Sequence, residues 1–576
     1  MNFVKKNPRL IGDMHVKAVQ QALQQYIKKE PVAYYPVTVS RTVNFIINLF
    51  PNIESVISKF DTNNSNHAKD LILCIDKNKK VSINLFLIKK GGKIQPKNPG
   101  AKSFFSKYFL SNPLQEMFNR IFEKEYQDYL KKLVSLKLGK HYIKDKRELK
   151  RLVLKYFPKF TDEINPYRET FLYGLREACF NLLTEFFNKK SEGFFYAYNI
   201  FFMTKDVNIV TSYGKTENDV YVEQFNPGSP QFSDIQIYKS GKHTVGIKFG
   251  EVALTLRFKF ESNPISSIKL AASYDKFPNE SQKESINRLT IQKMLALFNS
   301  HQYEKNPNSS NSIGKCHEAI TYYYFLKEFP NVAQVEPDEC VELLRKYYSL
   351  VKTDVLEKLF RSTSTLVPVI KERLRQKYNT FKLESIELIP DSYIYDRLNT
   401  GDLQLILLVD KEYIVENISL KALAKRTNKI TTKNPGIGTI LGPTYFNVGS
   451  MESVVNEIKV KFLIGELSHT ESLEIISSEL GVKLRNATQD QLKMGIENLL
   501  GKAMMVVTFY DENISYCKEH SKIEDEVIVH VKTPTAIQNT LAWNNGLETI
   551  SLRVKFSRGH NHGWSSIKLT SEYQLK

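Results

Sequence analysis

No stretch of about 18 or more apolar residues occurs in this chain of 576 residues, so a helical membrane span is not expected. The opening residues, MNFVKKNPRLIGDM, have no apolar core and predict no secretory leader. Cysteine is sparse: Cys74, Cys179, Cys316, Cys340 and Cys517 are scattered, odd in number and form no CxxC pair. That pattern argues against a structural zinc site and for reduced thiols in a cytoplasmic protein. A GxxxxGKS/T phosphate loop is missing, so any nucleotide-driven motor would be another chain. A methyltransferase-like glycine-rich fingerprint is missing too.

Acidic residues fall short of basic ones, 62 against 81, and the formal net charge is +19. Such a surface suits an anionic partner, because lysine and arginine gain by releasing counterions from phosphate. Lysine is spread along the whole chain, which favours a folded basic groove over a disordered arm. The length is too great for one core and implies two to four domains.

The chain repeats itself. LRFKF at 256–260 and SSIKL at 266–270 return as LRVKF at 552–556 and SSIKL at 565–569. KNPG at 97–100 returns at 433–436, each time shortly after an apolar strand that opens with Asp-Leu, Asp70-Leu71 and Asp402-Leu403. IGDMH at 11–15 returns as IGKCH at 313–317. These landmarks keep their order at offsets of 296 to 336 residues, which reads as a tandem duplication diverged by insertion. Segments 81–88, 403–409 and 504–509 are apolar runs of strand length, whereas 103–190 and 281–298 have helical character and 301–312 reads as a linker. Each copy is then helix, strands, helical middle and closing strands, a mixed α/β fold. The shared KNPG suggests a fixed turn of structural role, its glycine permitting positive φ.

Chemistry gathers in the second copy. Asp402 opens a strand, a polar turn follows near Asp410-Lys411-Glu412, and a second strand carries Asn417, Ser419 and Lys421 on one face, with Glu416 on the other. An aspartate beside Ser-x-Lys suits phosphodiester hydrolysis, the carboxylate holding a divalent metal and the lysine orienting or deprotonating the attacking water. One carboxylate is few for Mg2+. The helix IGKCHEAITYYYFLKEF supplies another: Glu318 falls where the first copy has Val16, part of an apolar stripe of Val16, Val19, Leu23, Tyr26 and Ile27. The plainer account of the same letters is a strand-opening aspartate and a snorkelling lysine.

A helix with Gly-x-x-His-Glu, then Asp-Leu on a strand and Ser-Leu-Lys on the next, resembles the PD-(D/E)xK superfamily and, within it, a type II restriction endonuclease. The resemblance implies a mixed sheet flanked by helices in each of two tandem restriction-endonuclease-like copies, and site-specific cleavage of double-stranded DNA with Mg2+, Mn2+ being admissible. It makes Asp402 the motif aspartate, Lys421 the motif lysine and Glu318 the accessory helix glutamate, with Leu420 joining Asp402 and Glu318 as a metal-binding position. Ser419 departs from the family, which most often has Asp or Glu there; Glu318 is the first candidate to replace that acid and Glu416 the second. In the first copy Asp70 is kept, but Ser82-Ile83-Asn84 stands against Ser419-Leu420-Lys421 and Val16 against Glu318. The expected organisation is therefore 1–278, a degenerate DNA-binding copy with a helical insertion at about 103–190; 279–311, helix and linker; and 312–576, the catalytic copy.

Lys425, Arg426, Lys429 and Lys433 follow the motif lysine and are candidates for phosphate contacts. Arg558, His560, Asn561 and His562, on a glycine-flanked hairpin, are candidates for reading base edges, with Lys568 beyond them. His560-Asn561-His562 does not match an HNH nuclease, whose residues are spread over a longer unit. With one live centre per chain, double-strand cleavage needs a homodimer or two successive events, and a cognate DNA methyltransferase is the expected counterpart. A non-catalytic nucleic-acid-binding protein and a nuclease subunit of a larger restriction system are the competing readings.

Overall fold

The computed structural model describes residues 8–575 except 32–33, 62–68, 77–78, 97, 140–144, 276, 305–308, 392, 394–400, 426–428, 433, 519–521, 532–536 and 559–562. The chain divides into two compact units, Met1–Pro278 and Asn279–Lys576. No helix among the described residues is long and apolar enough to cross a membrane.

The first unit runs α1 (Pro8–Lys28), α2 (Val37–Leu49), β1 (Ile53–Ser58), β2 (Leu71–Ile75) and β3 (Lys79–Lys89). The helices α3 (Phe104–Tyr108), α4 (Asn112–Leu138), α5 (Lys146–Tyr156), α6 (Asn165–Asn188) and α7 (Gly193–Phe201) then carry the chain to β4 (Val207–Tyr213) and β5 (Tyr221–Phe225). β1 to β5 form a sheet in chain order, antiparallel except for the parallel β3/β4 pair, and that pair requires the long helical crossover. A separate antiparallel meander follows: β6 (Ile235–Lys239), β7 (Thr244–Phe249), β8 (Val252–Phe260) and β9 (Ile268–Asp275). Leu71, Leu73 and Ile75 alternate inward and pack with Val16, Val19 and Leu23 of α1. Tyr26, expected on the same stripe, is 41% exposed, whereas its neighbour Ile27 packs against the apolar cluster.

The second unit repeats the pattern. After α8 (Glu280–Asn299) and α9 (Ser309–Glu328) come β10 (Ala333–Gln334), α10 (Glu339–Tyr347), α11 (Thr353–Thr363), α12 (Leu366–Tyr378), β11 (Lys382–Leu388), β12 (Leu403–Val409), β13 (Glu412–Leu423) and β14 (Lys429–Thr431). The crossover helices are α13 (Ile437–Ile440), α14 (Glu452–Leu463), α15 (His469–Arg485) and α16 (Gln489–Leu500). α15 and α16 each start on a capping box, Ser468/Glu471 and Thr488/Gln491, which satisfies otherwise orphaned backbone donors. β15 (Met504–Phe509) pairs in parallel with β13, and β16 (Ile514–Lys518) pairs antiparallel with β15. β17 (Ile528–Val531), β18 (Gln538–Trp543), β19 (Glu548–Phe556) and β20 (Ile567–Leu575) form a second antiparallel sheet, with β14 on the β20 edge. In strand order and pairing sense, β11-β12-β13-β15-β16 matches β1-β2-β3-β4-β5.

The recurring words meet in space in both units. Pro99 O accepts from Leu270 N–H at 2.9 Å and Pro435 O accepts from Leu569 N–H at 2.8 Å, with Gly100 bridging to Lys269 and Gly436 to Lys568. Neither glycine uses its freedom for positive φ: Gly100 lies at φ −77° and Gly436 at φ −67°. The segment is extended because it adds a bridge to the last strand.

Candidate active site

β12 and β13 are joined by the two-residue turn Asp410-Lys411, with φ of 48° and 70°, the doubly positive geometry that matches the twist of a tight hairpin. Its register sets Leu403 against Ile418 and Gln404 against Asn417. Leu403, Leu405, Ile418 and Leu420 therefore face a core shared with α9, and Asn417, Ser419 and Lys421 take the other side. Asp402 stands at the mouth of the hairpin. Its Oδ2 accepts the Leu420 N–H at 2.6 Å, and Lys421 Nζ lies 4.0 Å away. A strand residue directs its C=O to the same side as its N–H, so the Leu420 carbonyl shares the Asp402 side of β13. Ser419 is 1% exposed, and its Oγ has no hydrogen-bond partner among the described residues. Glu416 is withdrawn from the site, as strand alternation requires: Lys377 and Tyr378 of α12 hold it.

α9 packs its aromatic and aliphatic side chains on β11 and β13. Glu318 is buried, and Lys315, one turn earlier, donates to it at 2.9 Å and also to Asp391. Burial first, and then the negative charge of Asp402, push the Glu318 carboxyl well above the usual carboxylate range, with Lys315 opposing. Burial works against charge on Lys315, yet Glu318 and Asp391 together hold its ammonium above the usual lysine range. His317, beside Glu318 in the chain, is 1% exposed and bonds Thr508 Oγ1 through Nε2 at 3.0 Å. Thr508 bonds Ser515 Oγ at 3.0 Å, which accepts from Thr365 at 3.0 Å. This chain pins α9 over β15 and β16. Burial, and secondly the charge of Lys421, press the His317 ring down to about 3.

The donors near Asp402 are all oxygens: two carboxylates that repel, an unpartnered buried hydroxyl and a main-chain carbonyl. Hard cations such as Mg2+ favour that set and keep waters where protein ligands run out. A group of three His, Cys, Asp or Glu side chains suited to a metal is absent among the described residues, so a cation here would rest on two acids and neutral oxygens. Lys315 and its bond to Glu318 escaped the sequence reading, although a lysine one turn before a buried glutamate was the available signal.

The nucleic-acid candidates are dispersed. Lys425, Lys429, Arg558 and Lys568 are exposed, and Lys568 lies on β20 beside the Gly436 bridge. Arg426, Lys433, His560, Asn561 and His562 lie outside the described residues.

No family model matches the chain. It is 61% identical over 571 residues to the type II restriction enzyme BsuRI of Bacillus subtilis, covering 99% of each chain. The chain belongs to the type II restriction enzymes. It is accordingly a site-specific deoxyribonuclease.

In the first unit of this restriction enzyme the corresponding hairpin is built alike and charged differently. Asp70 Oδ2 accepts the Leu85 N–H at 2.9 Å, and Leu71 pairs with Ile83 as Leu403 pairs with Ile418. By register, Asn84-Leu85-Phe86 answers Ser419-Leu420-Lys421, which corrects the two-residue-earlier match to Ser82-Ile83-Asn84; either way no lysine is present. Lys59 bridges Asp13 at 2.7 Å and Asp70 at 3.0 Å, so an internal ammonium lies between the two carboxylates. Burial disfavours that charge, but the two aspartates outweigh it and raise the Lys59 pKa.

Proposed function

We propose that this restriction enzyme hydrolyses double-stranded DNA with Mg2+, Mn2+ being an admissible substitute, at one PD-(D/E)xK-type centre in its second unit. The first unit is a degenerate tandem copy that binds DNA without cutting it. The observation that carries this reading is the convergence of Asp402, Lys421 and the Asp402-loaded Glu318 at the mouth of one hairpin. Shared strand order and the matched bridges of the repeated words support duplication.

Asp402, Glu318 and the Leu420 carbonyl would hold the metal, and the Ser419 hydroxyl is available to a water in its shell. When bound, the metal supplies Lewis acidity to the scissile phosphoryl group. Lys421 orients the attacking water and places a positive charge against the phosphoryl oxygens as the new P–O bond forms and the old one breaks. Lys315 holds Glu318 in place until the site is loaded. Each chain carries one complete centre, so both strands are cut by a homodimer or in two successive events, and a cognate DNA methyltransferase protects the host sites.

The test is cleavage of a long unmethylated DNA with Mg2+ and with EDTA, alongside Lys421→Ala and Asp402→Asn. Discrete Mg2+-dependent fragments, lost in both variants with DNA binding retained, are expected. Cleavage that survives either substitution would place the chemistry elsewhere.

A further inference from the structure

The sheet β14-β20-β19-β18-β17 has one apolar face, which carries Leu552, Val554, Phe556 and Leu569 into the core under α15. Alternation sends the other set of side chains outward. Arg553 and Lys555 of β19 lie there beside Lys568 of β20, with Lys429 of β14 on the adjoining edge and Glu572 the acid among them. The ladder sets Lys555 directly opposite Lys568. Like charges directly opposite in a sheet destabilise it, and an anion relieves them. Arg553 and Lys568 are exposed, and neither side chain makes an ion pair or hydrogen bond among the described residues. Lys555 donates to Asn434 Oδ1 at 3.2 Å, tying the Asn434-Pro435-Gly436 segment to this corner.

The first unit holds the same corner. Lys259 pairs with Lys269 across β8/β9, Arg257 lies two residues before Lys259 on the same face, and Gly100 bridges to Lys269. One difference is that Glu261 pairs with Lys269. The apolar face of the second-unit sheet meets its helical core, so core packing does not account for the outward Arg-x-Lys of β19 opposite the lysine of β20.

We propose that Arg553, Lys555 and Lys568, beside the Asn434-Pro435-Gly436 segment, are a contact for the DNA phosphate backbone, and that Arg257, Lys259 and Lys269 are its counterpart in the first unit. Each unit then carries a contact that holds phosphate by charge and without reading sequence. This inference rests on DNA being the substrate, but not on where it is cut.

The test measures binding of the full-length protein to a labelled duplex of about 30 base pairs in EDTA, over a series of salt concentrations. Each lost phosphate contact lowers the slope of log K against log salt by about 0.9. The triple variant Arg553→Gln, Lys555→Gln, Lys568→Gln is expected to lower it by about 2 to 3, and Arg257→Gln, Lys259→Gln, Lys269→Gln by about 1 to 2, since Glu261 already occupies one lysine. A control of equal charge loss, Lys327→Gln, Lys346→Gln, Lys352→Gln, leaves the slope unchanged. Lys568→Gln alone, at an exposed side chain, repeats the test at about a third of the size should a triple variant unfold. Slopes equal to wild type in both corner triples overturn the inference. The outcomes separate from those for the active site: a failed corner leaves cleavage dependent on Lys421, whereas a failed active site leaves the slope changes intact.

Discussion

Acid should loosen the seat of helix α9, which His317 bonds to Thr508. His317 has an ordinary ring pKa of 6.5 in the unfolded chain and about 3 in the fold, because burial and then Lys421 disfavour its charge. Below pH 6.5 the unfolded state therefore binds more protons than the folded one, so stability falls as pH falls and the loss is complete near pH 3. At about 1.4 kcal/mol per pH unit the penalty is roughly 2 kcal/mol at pH 5, with a ceiling of roughly 5 kcal/mol. That ceiling is comparable with the whole stability of many domains, about 5–15 kcal/mol. The perturbation is His317→Gln, which places an amide near the Nε2 position facing Thr508 but does not titrate. Both tryptophans, Trp543 and Trp564, lie in the second unit, so their fluorescence reports its unfolding by urea. From pH 7.5 to 4.5 the wild type should lose roughly 2 to 3 kcal/mol more than His317→Gln. Parallel losses in the two proteins would refute the reasoning, because His317 would then not be held neutral by the fold.

Three further outcomes follow from the charge layout. Glu318→Gln should flatten the pH dependence of metal-free stability: the wild-type carboxyl stays protonated in the fold above its usual range, so its stability falls as pH rises, by about 1.4 kcal/mol for each unit of upward shift. Mg2+ should restore that loss only in the wild type, as read by melting temperature with and without Mg2+ at pH 6 and 9. Ser419→Ala removes an unpartnered buried hydroxyl and should raise metal-free stability by up to about 1 kcal/mol. The same variant should slow cleavage about tenfold, as loss of a supporting contact to a metal shell does, and an unchanged rate would remove Ser419 from the site. Lys59→Met leaves Asp13 and Asp70 without their shared ammonium and should destabilise the first unit by about 1–2 kcal/mol, a partly exposed bridge being discounted from the buried case. Hydrogen exchange at Leu85 reads that loss, and kcat on saturating DNA should not change.

Residues on regular strands were legible from the sequence because alternation is local. The period of two puts Asn417, Ser419 and Lys421 on one face and Glu416 on the other, and Glu416 is held by Lys377 and Tyr378. Glu318 was legible for a different reason: the repeat placed it over a buried valine, and a charge at a buried position needs a reason. The register of the first hairpin was not legible. Residues 71–75 and 81–88 consist largely of interchangeable apolar letters, so matching letters gave an offset of two, which the hydrogen bond from Leu85 N–H to Asp70 corrects.

Partners distant in the chain were out of reach of local pattern. Thr508 lies 191 residues from His317, and Asp391 lies 76 from Lys315. The most informative contrast between the units is of this kind. Where α9 has Lys315 and Glu318, α1 has Asp13 and Val16, so the carboxylate moves by three positions and the lysine moves off the helix altogether, to Lys59. Both arrangements place a lysine near an aspartate-bearing hairpin mouth. In the second unit the lysine bonds Glu318 and Asp391 and leaves Asp402 with its negative charge and with Lys421 4.0 Å away. In the first unit the lysine bonds Asp70 itself, so a cation would have to displace a covalently tethered ammonium. A tethered charge has a far higher local concentration than a free ion, which disfavours a cation beside Asp70.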